Sequence, residues 1–186
     1  MTLTEQLKPV ACHAAAKPPD VANANADGYT LAYGTNGTHA INHTLYKNPG
    51  FDAVKDFEPI SRFTQIALLL VTNPSIPAKS AKELIAYLKA NPGKVSVATQ
   101  GGGTTSHLTA ELFMQITGTE MNVIPYRGSA PALVDLIGNN VDVFFDNIGV
   151  SAPHHRAGRL RILAVADEQR SAQEIARRIN AAGAKK

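Results

Sequence analysis

Short apolar runs alternate with segments of helical hydrophobic spacing along most of this 186-residue chain. Runs rich in Val, Ile, Leu, Phe and Tyr, bounded by Gly, Pro and Asn, predict buried strands. Strands that alternate with helices of ordinary length are typical of an α/β protein with a mostly parallel sheet. The predicted strands are Thr30–Tyr33, Ile66–Thr72, Val95–Thr99, Met121–Tyr126, Val141–Phe145 and Arg161–Ala166.

Helical segments fill several of the gaps between these strands. The clearest begins at Ser80, where Glu83 completes a capping box and Asn91-Pro92-Gly93 ends the helix. Two further helices are predicted, one from about Thr105 to Thr117 that ends at Gly118 and one capped by Ser129. Weaker patterns predict a helix after Gly37 and a short peripheral helix capped by Ser171 and Glu174. His154 and His155 are predicted to lie in an exposed polar turn.

Glycine and hydroxyl residues gather where three of the strands turn into helices. These junctions read YGTNGTHAIN at 33–42, ATQGGGTTSHL at 98–108 and PYRGSAPAL at 125–133. Glycine permits positive φ and a close ligand approach, and the first turn of a helix presents unpaired N–H groups with partial positive charge. Such junctions suit a phosphate or a carboxylate. Ordinary helix capping uses the same residue types, so a structural interpretation stays open beside a binding one.

Composition and charge argue against several other functions. The formal charge is +3, and the chain has no basic stripe with interleaved aromatics, so nucleic acid is not a predicted partner. The longest apolar run, Ile66–Val71, is far shorter than the ~20 residues of a membrane span, so the protein is not expected to be membrane-embedded. Cys12 is the only cysteine and cannot form an internal disulfide.

No set of residues predicts an enzyme, a cofactor or a metal site. The chain has no P-loop, no complete dinucleotide fingerprint and no G-x-S-x-G elbow. His39 and His43 are spaced for one helix face, but a third metal ligand is not evident. Asp142 and Asp146 flank a strand segment and would lie about 13 Å apart, which is too far for a carboxylate dyad.

Four longer stretches are distinctive in combination. They are ADGYTLAYGTNGTHAINHTLYKNPGFDAVKDFEPIS, NPSIPAKSAKELIAYLKANPGKVSVATQGGGTTSHLTAELF, VIPYRGSAPALVDLIGNNVDVFFDN and HHRAGRLRILAVADEQRS. Together they resemble the Bug family, the periplasmic solute-binding receptors of tripartite tricarboxylate transporters. The resemblance runs from about Asp27 to Ser171.

The resemblance implies a periplasmic-binding-protein-like fold of type II, in which two α/β lobes joined by crossing strands close on a small carboxylate. Residues 1–26 are then a poorly ordered leader, 27–77 a partial first lobe with a crossover strand, 78–167 the second lobe, and 168–186 a basic tail with a short helix. The first lobe is expected to be incomplete, because the family's initial strand–helix wall and its C-terminal return find no match. Residues 27–75 are therefore expected to be less stable than the second lobe.

The resemblance also implies which residues bind the ligand. One wall of the cleft is expected from the first lobe, two junctions are expected to form the second-lobe wall, and the floor is expected at the end of a strand. The first-lobe set is Thr35, Gly37, Thr38, His39 and Asn42; the second-lobe set is Thr99, Gly101, Gly102, Gly103, Thr104, Thr105, His107, Tyr126, Arg127, Gly128 and Ser129; the floor is Asp146 and Asn147.

The implied function is a solute-binding receptor that is not an enzyme, needs no cofactor or metal, and partners with membrane transporter subunits. The implied location is the periplasm. The chain shows no recognisable secretion signal, which leaves cytoplasmic retention as an alternative. The alternative function is a truncated regulatory or interaction module that has lost ligand binding.

Overall fold

The computed structural model describes residues 18–62 and 64–166 of the chain. The chain divides into two compact units between Arg62 and Phe63. Most of the predicted leader and the tail with its capping box at Ser171 and Glu174 lie outside the described residues.

The first unit contains only short helices among its described residues 18–62. Helix α1 spans Pro18–Ala22, and a π-helical turn at Gly37–Ile41 continues into α2 at Asn42–Leu45, where the weaker helix was predicted. The strand prediction for Thr30–Tyr33 is wrong, because no strand forms between residues 18 and 62. A strand needs a neighbour that pairs with its backbone N–H and C=O groups, and this part of the described chain offers none.

The second unit is built on a five-stranded sheet in the order β3-β2-β4-β1-β5. The other five strand predictions are confirmed, with small shifts at their ends. The strands are β1 at Leu68–Thr72, β2 at Ser96–Thr99, β3 at Asn122–Pro125, β4 at Val143–Asn147 and β5 at Arg161–Ala166.

Four of the five strands run in the same direction. Strand β2 pairs parallel with β3 and β4, while β1 lies antiparallel between β4 and β5. All five residues of β1 are buried, which explains its unbroken apolar sequence, because a central strand is covered on both faces. Since β1 contacts β4 and β5 directly, it belongs to the second unit.

Helices cover both faces of this sheet: α3 at Ala81–Ala90, α4 at Thr105–Thr117, α5 at Ser129–Ile137 and α6 at Ile148–Arg156. Leu84 and Leu88 of α3 and Ala110 of α4 pack on one face with Val97, while Leu133 of α5 packs on the other face. Helix α4 buries Ser106 and Ala110, while its large apolar side chains Leu108, Leu112 and Ile116 are exposed.

Helix α6 was missed by the sequence analysis. The predicted exposed turn at His154 and His155 is instead the last turn of this helix, and both histidines are half-buried. Gly149 and Pro153 both lower helix propensity, which is why the sequence did not indicate a helix. Burial of Ser151 and Ala152 against the second unit supplies the packing that propensity lacks.

Candidate functional site

Three strand–helix junctions meet at one edge of the sheet in the second unit. Strands β2, β3 and β4 are adjacent and parallel, and Thr99 lies opposite Pro125 at the ends of β2 and β3. Each of the three strands leads directly into a helix, α4, α5 or α6. The amino ends of three helices therefore lie side by side at the carboxyl ends of the strands, where open α/β sheets bind ligands.

The β2–α4 junction is a glycine turn that leaves several backbone donors unpaired. Gly101 has φ +122° and Gly103 has φ +73°, which disfavour any other residue. A Cβ at Gly102 would meet nothing within 4 Å, so this position faces open space. The N–H groups of Gly102, Thr105 and Ser106 find no acceptor among the residues that the structure describes.

Three side chains hold this turn and the following helix in place. Thr104 Oγ1 accepts the N–H of His107 at 3.3 Å and donates to the carbonyl of Gly101 at 2.8 Å. The N–H of Gly103 donates to His107 Nδ1 at 3.3 Å, so the neutral ring carries its proton on Nε2, 3.6 Å from Glu111. Ser106 Oγ donates to the carbonyl of Phe145 at 2.6 Å and fastens α4 to β4.

One buried hydroxyl in this region has no hydrogen-bond partner. Thr99 is fully buried at the end of β2, and its Oγ1 is unsatisfied in the described part of the chain. Its backbone carbonyl, by contrast, accepts the N–H of Tyr126 at 2.9 Å. Thr99 therefore supports the sheet edge through its backbone.

One prediction for the β3–α5 junction, the cap at Ser129, is wrong. Ser129 does not cap α5: the N-cap is Gly128, with φ +107° and no side-chain cap bond. Ser129 Oγ donates to Asp146 Oδ1 at 2.6 Å instead. The reason is tertiary: a cap hydroxyl accepts an N–H of the first turn, whereas the Ser129 hydroxyl is turned toward Asp146 and accepts from Gln100 Nε2 at 2.9 Å.

Tyr126 and Arg127, two other predicted residues of this junction, differ in their surroundings. The hydroxyl of Tyr126 donates to Asp135 Oδ2 on α5 at 2.6 Å, so it supports the helix. Burial, and then the bond to Asp135, raise the pKa of Tyr126 to about 12. Arg127 is exposed and makes no hydrogen bond or ion pair with any residue in the described ranges. It is therefore a cation available to a ligand.

The β4–α6 junction contains Asp146, which is fully buried. Its Oδ1 accepts from Gln100 Nε2 at 2.9 Å and from Ser129 Oγ at 2.6 Å, and its Oδ2 accepts from Ser151 Oγ at 2.5 Å. Asn147 follows as the N-cap of α6 and makes no side-chain cap bond. Gln100 and Ser151 are functional candidates that the sequence analysis missed, since a single Gln or Ser carries no motif.

The helix N-termini at the two edges of the sheet differ in their capping. Helix α3 begins near the opposite edge, where Arg161 contacts Ala78, and its N-terminus is capped by Ser80 and Glu83. At the junction edge α5 and α6 have no side-chain caps, and α4 has one bond from Thr104. Uncapped helix N-termini offer N–H donors and partial positive charge to an anion. The junction edge therefore has the chemistry of an anion site.

The predicted residues of the first unit form a local cluster of their own. The N–H of Thr35 donates to Thr38 Oγ1 at 3.0 Å, and Thr38 Oγ1 lies 2.8 Å from His39 Nδ1. A Cβ at Gly34 would lie 2.6 Å from the His39 ring, so glycine is needed there. Gly37 begins the π-helical turn and Asn42 follows it.

The two histidines of the first unit lie among aromatic rings. His39 and His43 both contact Phe51, and His39 also lies edge-on to Phe57 at 4.9 Å. Burial, with repulsion from His43, lowers the pKa of His39 below its usual 6.5. His43 Nε2 accepts the N–H of Ala53 at 3.0 Å, so it is occupied within the unit. Residues 18–62 and 64–166 contain no cluster of three or more metal-binding side chains.

A surface pocket of about 460 Å³ lies away from the junctions. It is open to solvent between the end of α4 and the start of β3, at the opposite edge of the sheet, and its lining includes Glu111, Glu120 and Asn122. Two acidic side chains and no cation disfavour an anion there. Every helix among residues 18–62 and 64–166 falls short of the length and hydrophobicity that a membrane span requires.

Comparisons with known proteins agree with this architecture. The family model of the tripartite tricarboxylate transporter family receptor, TctC, matches residues 5–178. Protein BugT of Bordetella pertussis is 39% identical over 151 residues, which cover 81% of this chain and 46% of BugT. The chain spans about half the length of the curated relatives it matches.

Solved structures give the same result. Rpa4515 of R. palustris with adipate is 39% identical, with a TM-score of 0.78 over 82% of this chain and 51% of that one. MatC from Rhodopseudomonas palustris with bound malate is 29% identical, with a TM-score of 0.73 over 82% of this chain and 52% of that one. Further matches are periplasmic proteins. The chain thus has the fold of periplasmic solute-binding proteins and belongs to the TctC family of tripartite tricarboxylate transporter receptors.

Proposed function

We propose that this chain binds a small carboxylate at the junction edge of its second unit, as part of a solute receptor for a tripartite tricarboxylate-type transport system. The observation that carries the proposal is the contrast between the capped start of α3 and the uncapped starts of α5 and α6. Leaving N–H donors unpaired is unfavourable unless water or a ligand satisfies them. Relatives that hold adipate and malate support a carboxylate as that ligand.

The proposed contacts are mainly backbone donors. Gly101, Gly102 and Gly103 allow close approach, and the free N–H groups of Gly102 and Thr105 supply hydrogen bonds. Arg127 adds a cation that can pair with a second carboxylate in a forked geometry. The other positions proposed for the site are Thr99, Thr104, His107, Tyr126, Gly128, Ser129 and Asn147 in this unit, and Thr35, Gly37, Thr38, His39 and Asn42 in the first unit. Asp146 is proposed to support the site without contacting the ligand.

The partners and the location are proposed from the family. Its members are receptors of tripartite transporters, so the receptor would deliver its ligand to membrane subunits. Periplasmic relatives favour a periplasmic location for this chain as well. No enzymatic role is proposed, because relatives are receptors and the junction edge supplies binding groups only.

Isothermal titration calorimetry of the full chain with adipate and malate tests the proposal. We expect saturable binding at micromolar concentrations, and Gly102→Leu should abolish it. The new side chain enters open space, so the fold should persist and far-UV circular dichroism should be unchanged. Lys89→Leu, which places the same side chain on exposed α3, is the control and should bind normally. A folded wild-type protein that binds no carboxylate would contradict the proposal.

A further inference from the structure

The carboxylate of Asp146 is shared by three separate elements of the second unit. Its donors are Gln100 in the β2–α4 turn, Ser129 at the first residue of α5 and Ser151 in the first turns of α6. Gln100 Nε2 also donates to Ser129 Oγ at 2.9 Å, which closes the network. We infer that Asp146 is a positioning residue, which sets the mutual geometry of the three helix N-termini and does not contact the ligand itself.

Burial and charge both argue against a direct contact. Asp146 is 0% exposed, and both of its oxygens already accept hydrogen bonds from the protein. A carboxylate would also repel an anionic ligand at close range. The resemblance to the Bug family implies that Asp146 lies near the cleft floor, and its buried contacts with Gln100, Ser129 and Ser151 favour a supporting role there.

The hydrogen bonds to Asp146 fix both where the donor side chains lie and where their hydrogens point. A carboxylate only accepts, so the hydroxyl hydrogens of Ser129 and Ser151 point at Asp146. The Gln100 amide must turn its NH₂ group toward Asp146 and Ser129. These side chains are therefore committed inside the protein. The donors left for a ligand are the backbone N–H groups that the network holds in register, a preorganisation that binding sites depend on.

A matched control lies immediately before the same strand. Asp142, near the opposite edge of the sheet, accepts from the backbone N–H and the hydroxyl of Ser96, both at 2.8 Å. It links the start of β4 to β2, whereas Asp146 links the end of β4 to the β2–α4 turn and to two helix starts. Replacement of either aspartate removes a carboxylate–serine link between neighbouring elements. Only Asp146 connects to the helix N-termini.

The inference rests on the proposed carboxylate function, and the test uses two readouts so that the two can fail separately. Asp146→Asn and Asp142→Asn are compared in the full chain by calorimetry with adipate and malate, and by amide hydrogen exchange without ligand. Affinity should fall about tenfold or more in Asp146→Asn, the loss expected when a hydrogen bond to a charged group is misaligned, and by less than about twofold in Asp142→Asn. Exchange should accelerate only in Asp146→Asn, at 108–111, at 133–136 and at 152, 154 and 155, because these are the first amides of α4, α5 and α6 that have hydrogen bonds within their helix to lose.

Two further variants separate positioning from contact. Ser129→Ala and Ser151→Ala each remove one donor, so each should weaken binding and speed exchange at its own helix start; they also serve if Asp146→Asn does not fold. Loss of affinity in Asp146→Asn with normal binding in both serine variants would identify Asp146 as a ligand contact and overturn the inference. Unchanged exchange at α5 and α6 in Asp146→Asn would overturn it as well. If wild type binds neither acid while the exchange pattern appears as expected, the proposed function fails and the positioning role stands.

Discussion

The two units of this protein are held by different forces. In residues 64–166, helices on both faces enclose a sheet whose buried core includes Leu69, Val97 and Phe144, each 0% exposed. None of the residues 19–62 is buried, and Val54 and Ile60 are 86% and 77% exposed. Hydrophobic burial supplies most of the free energy of folding, so the second unit can hold a site rigidly. The first unit depends on local hydrogen bonds and one aromatic cluster.

The two units also differ in the contacts that hold their predicted site residues. In the second unit, side chains distant in sequence converge on Asp146, as when Gln100 and Ser129 meet it. In the first unit, the bonds that hold the predicted residues join near neighbours, such as Thr35 and Thr38. Long-range contacts can fix a binding geometry; local contacts fix only a turn. Four measurements test this difference between the units.

Hydrogen exchange should show the largest difference between the units. Amides of β1, β2 and β4 should open only with global unfolding, whereas those of 18–62 should open locally, so exchange rates should differ by about a thousandfold or more. The boundary should fall near residue 62, which puts β1 on the protected side. Mass spectrometry with peptide resolution measures this. Equal protection on both sides of residue 62 would remove the basis of the comparison.

A pair of phenylalanine truncations should separate the units by stability. Phe144→Ala empties a fully buried position at the centre of the sheet and should lower the free energy of unfolding by about 3–5 kcal/mol. Phe57→Ala removes a half-buried ring of the first unit and should change it by about 1 kcal/mol or less. Urea unfolding followed by far-UV circular dichroism gives both values. Similar losses in the two variants would show that the first unit shares the main core.

The Tyr126 phenol reports the packing of the β3–α5 junction. Its pKa of about 12 predicts an absorbance step at that pH, which should vanish in Tyr126→Phe and move lower in Asp135→Asn. Because the folded-state pKa lies above the ordinary 10, the stabilisation is complete below pH 10 and is lost as pH rises through about 12. An ultraviolet titration measures the step. A Tyr126 that ionises near pH 10 would mean that the junction is open.

The smallest expected effect is a shift in the pKa of His39, which tests whether the first unit is folded. Burial and repulsion from His43 lower its pKa, so its proton-binding midpoint should lie below 6.5, and His43→Asn should move it upward. The neutral form is favoured in the fold, so this stabilisation is present above pH 6.5 and is lost as pH falls through the lowered pKa. Nuclear magnetic resonance titration of the ring protons measures it. A midpoint at the ordinary value would indicate an unfolded first unit.

Local sequence rules predicted much of the second unit. The capping box at Ser80 and Glu83 and the glycine stop at Gly118 appear where expected, because capping depends on residues within one turn. Strand β1 was predicted because a strand buried on both faces reads as an apolar run. The glycine turn between β2 and α4 was also predicted. Its glycines are needed for backbone angles such as φ +122° at Gly101, which other residues rarely adopt.

Tertiary structure decided everything that depends on a distant partner. Thr30–Tyr33 has strand-forming residues but no strand, because no neighbour pairs with it in the described first unit. Ser129 has the residue type of a cap, yet the buried carboxylate of Asp146 takes its hydroxyl. Helix α6 forms against its sequence propensity through burial of Ser151 and Ala152. Local backbone chemistry was enough to predict five strands and the ends of α3 and α4, because capping and strand burial leave a signal within a few residues. The convergence of Gln100, Ser129 and Ser151 on Asp146 follows only from the order of strands in the sheet, which brings distant segments together.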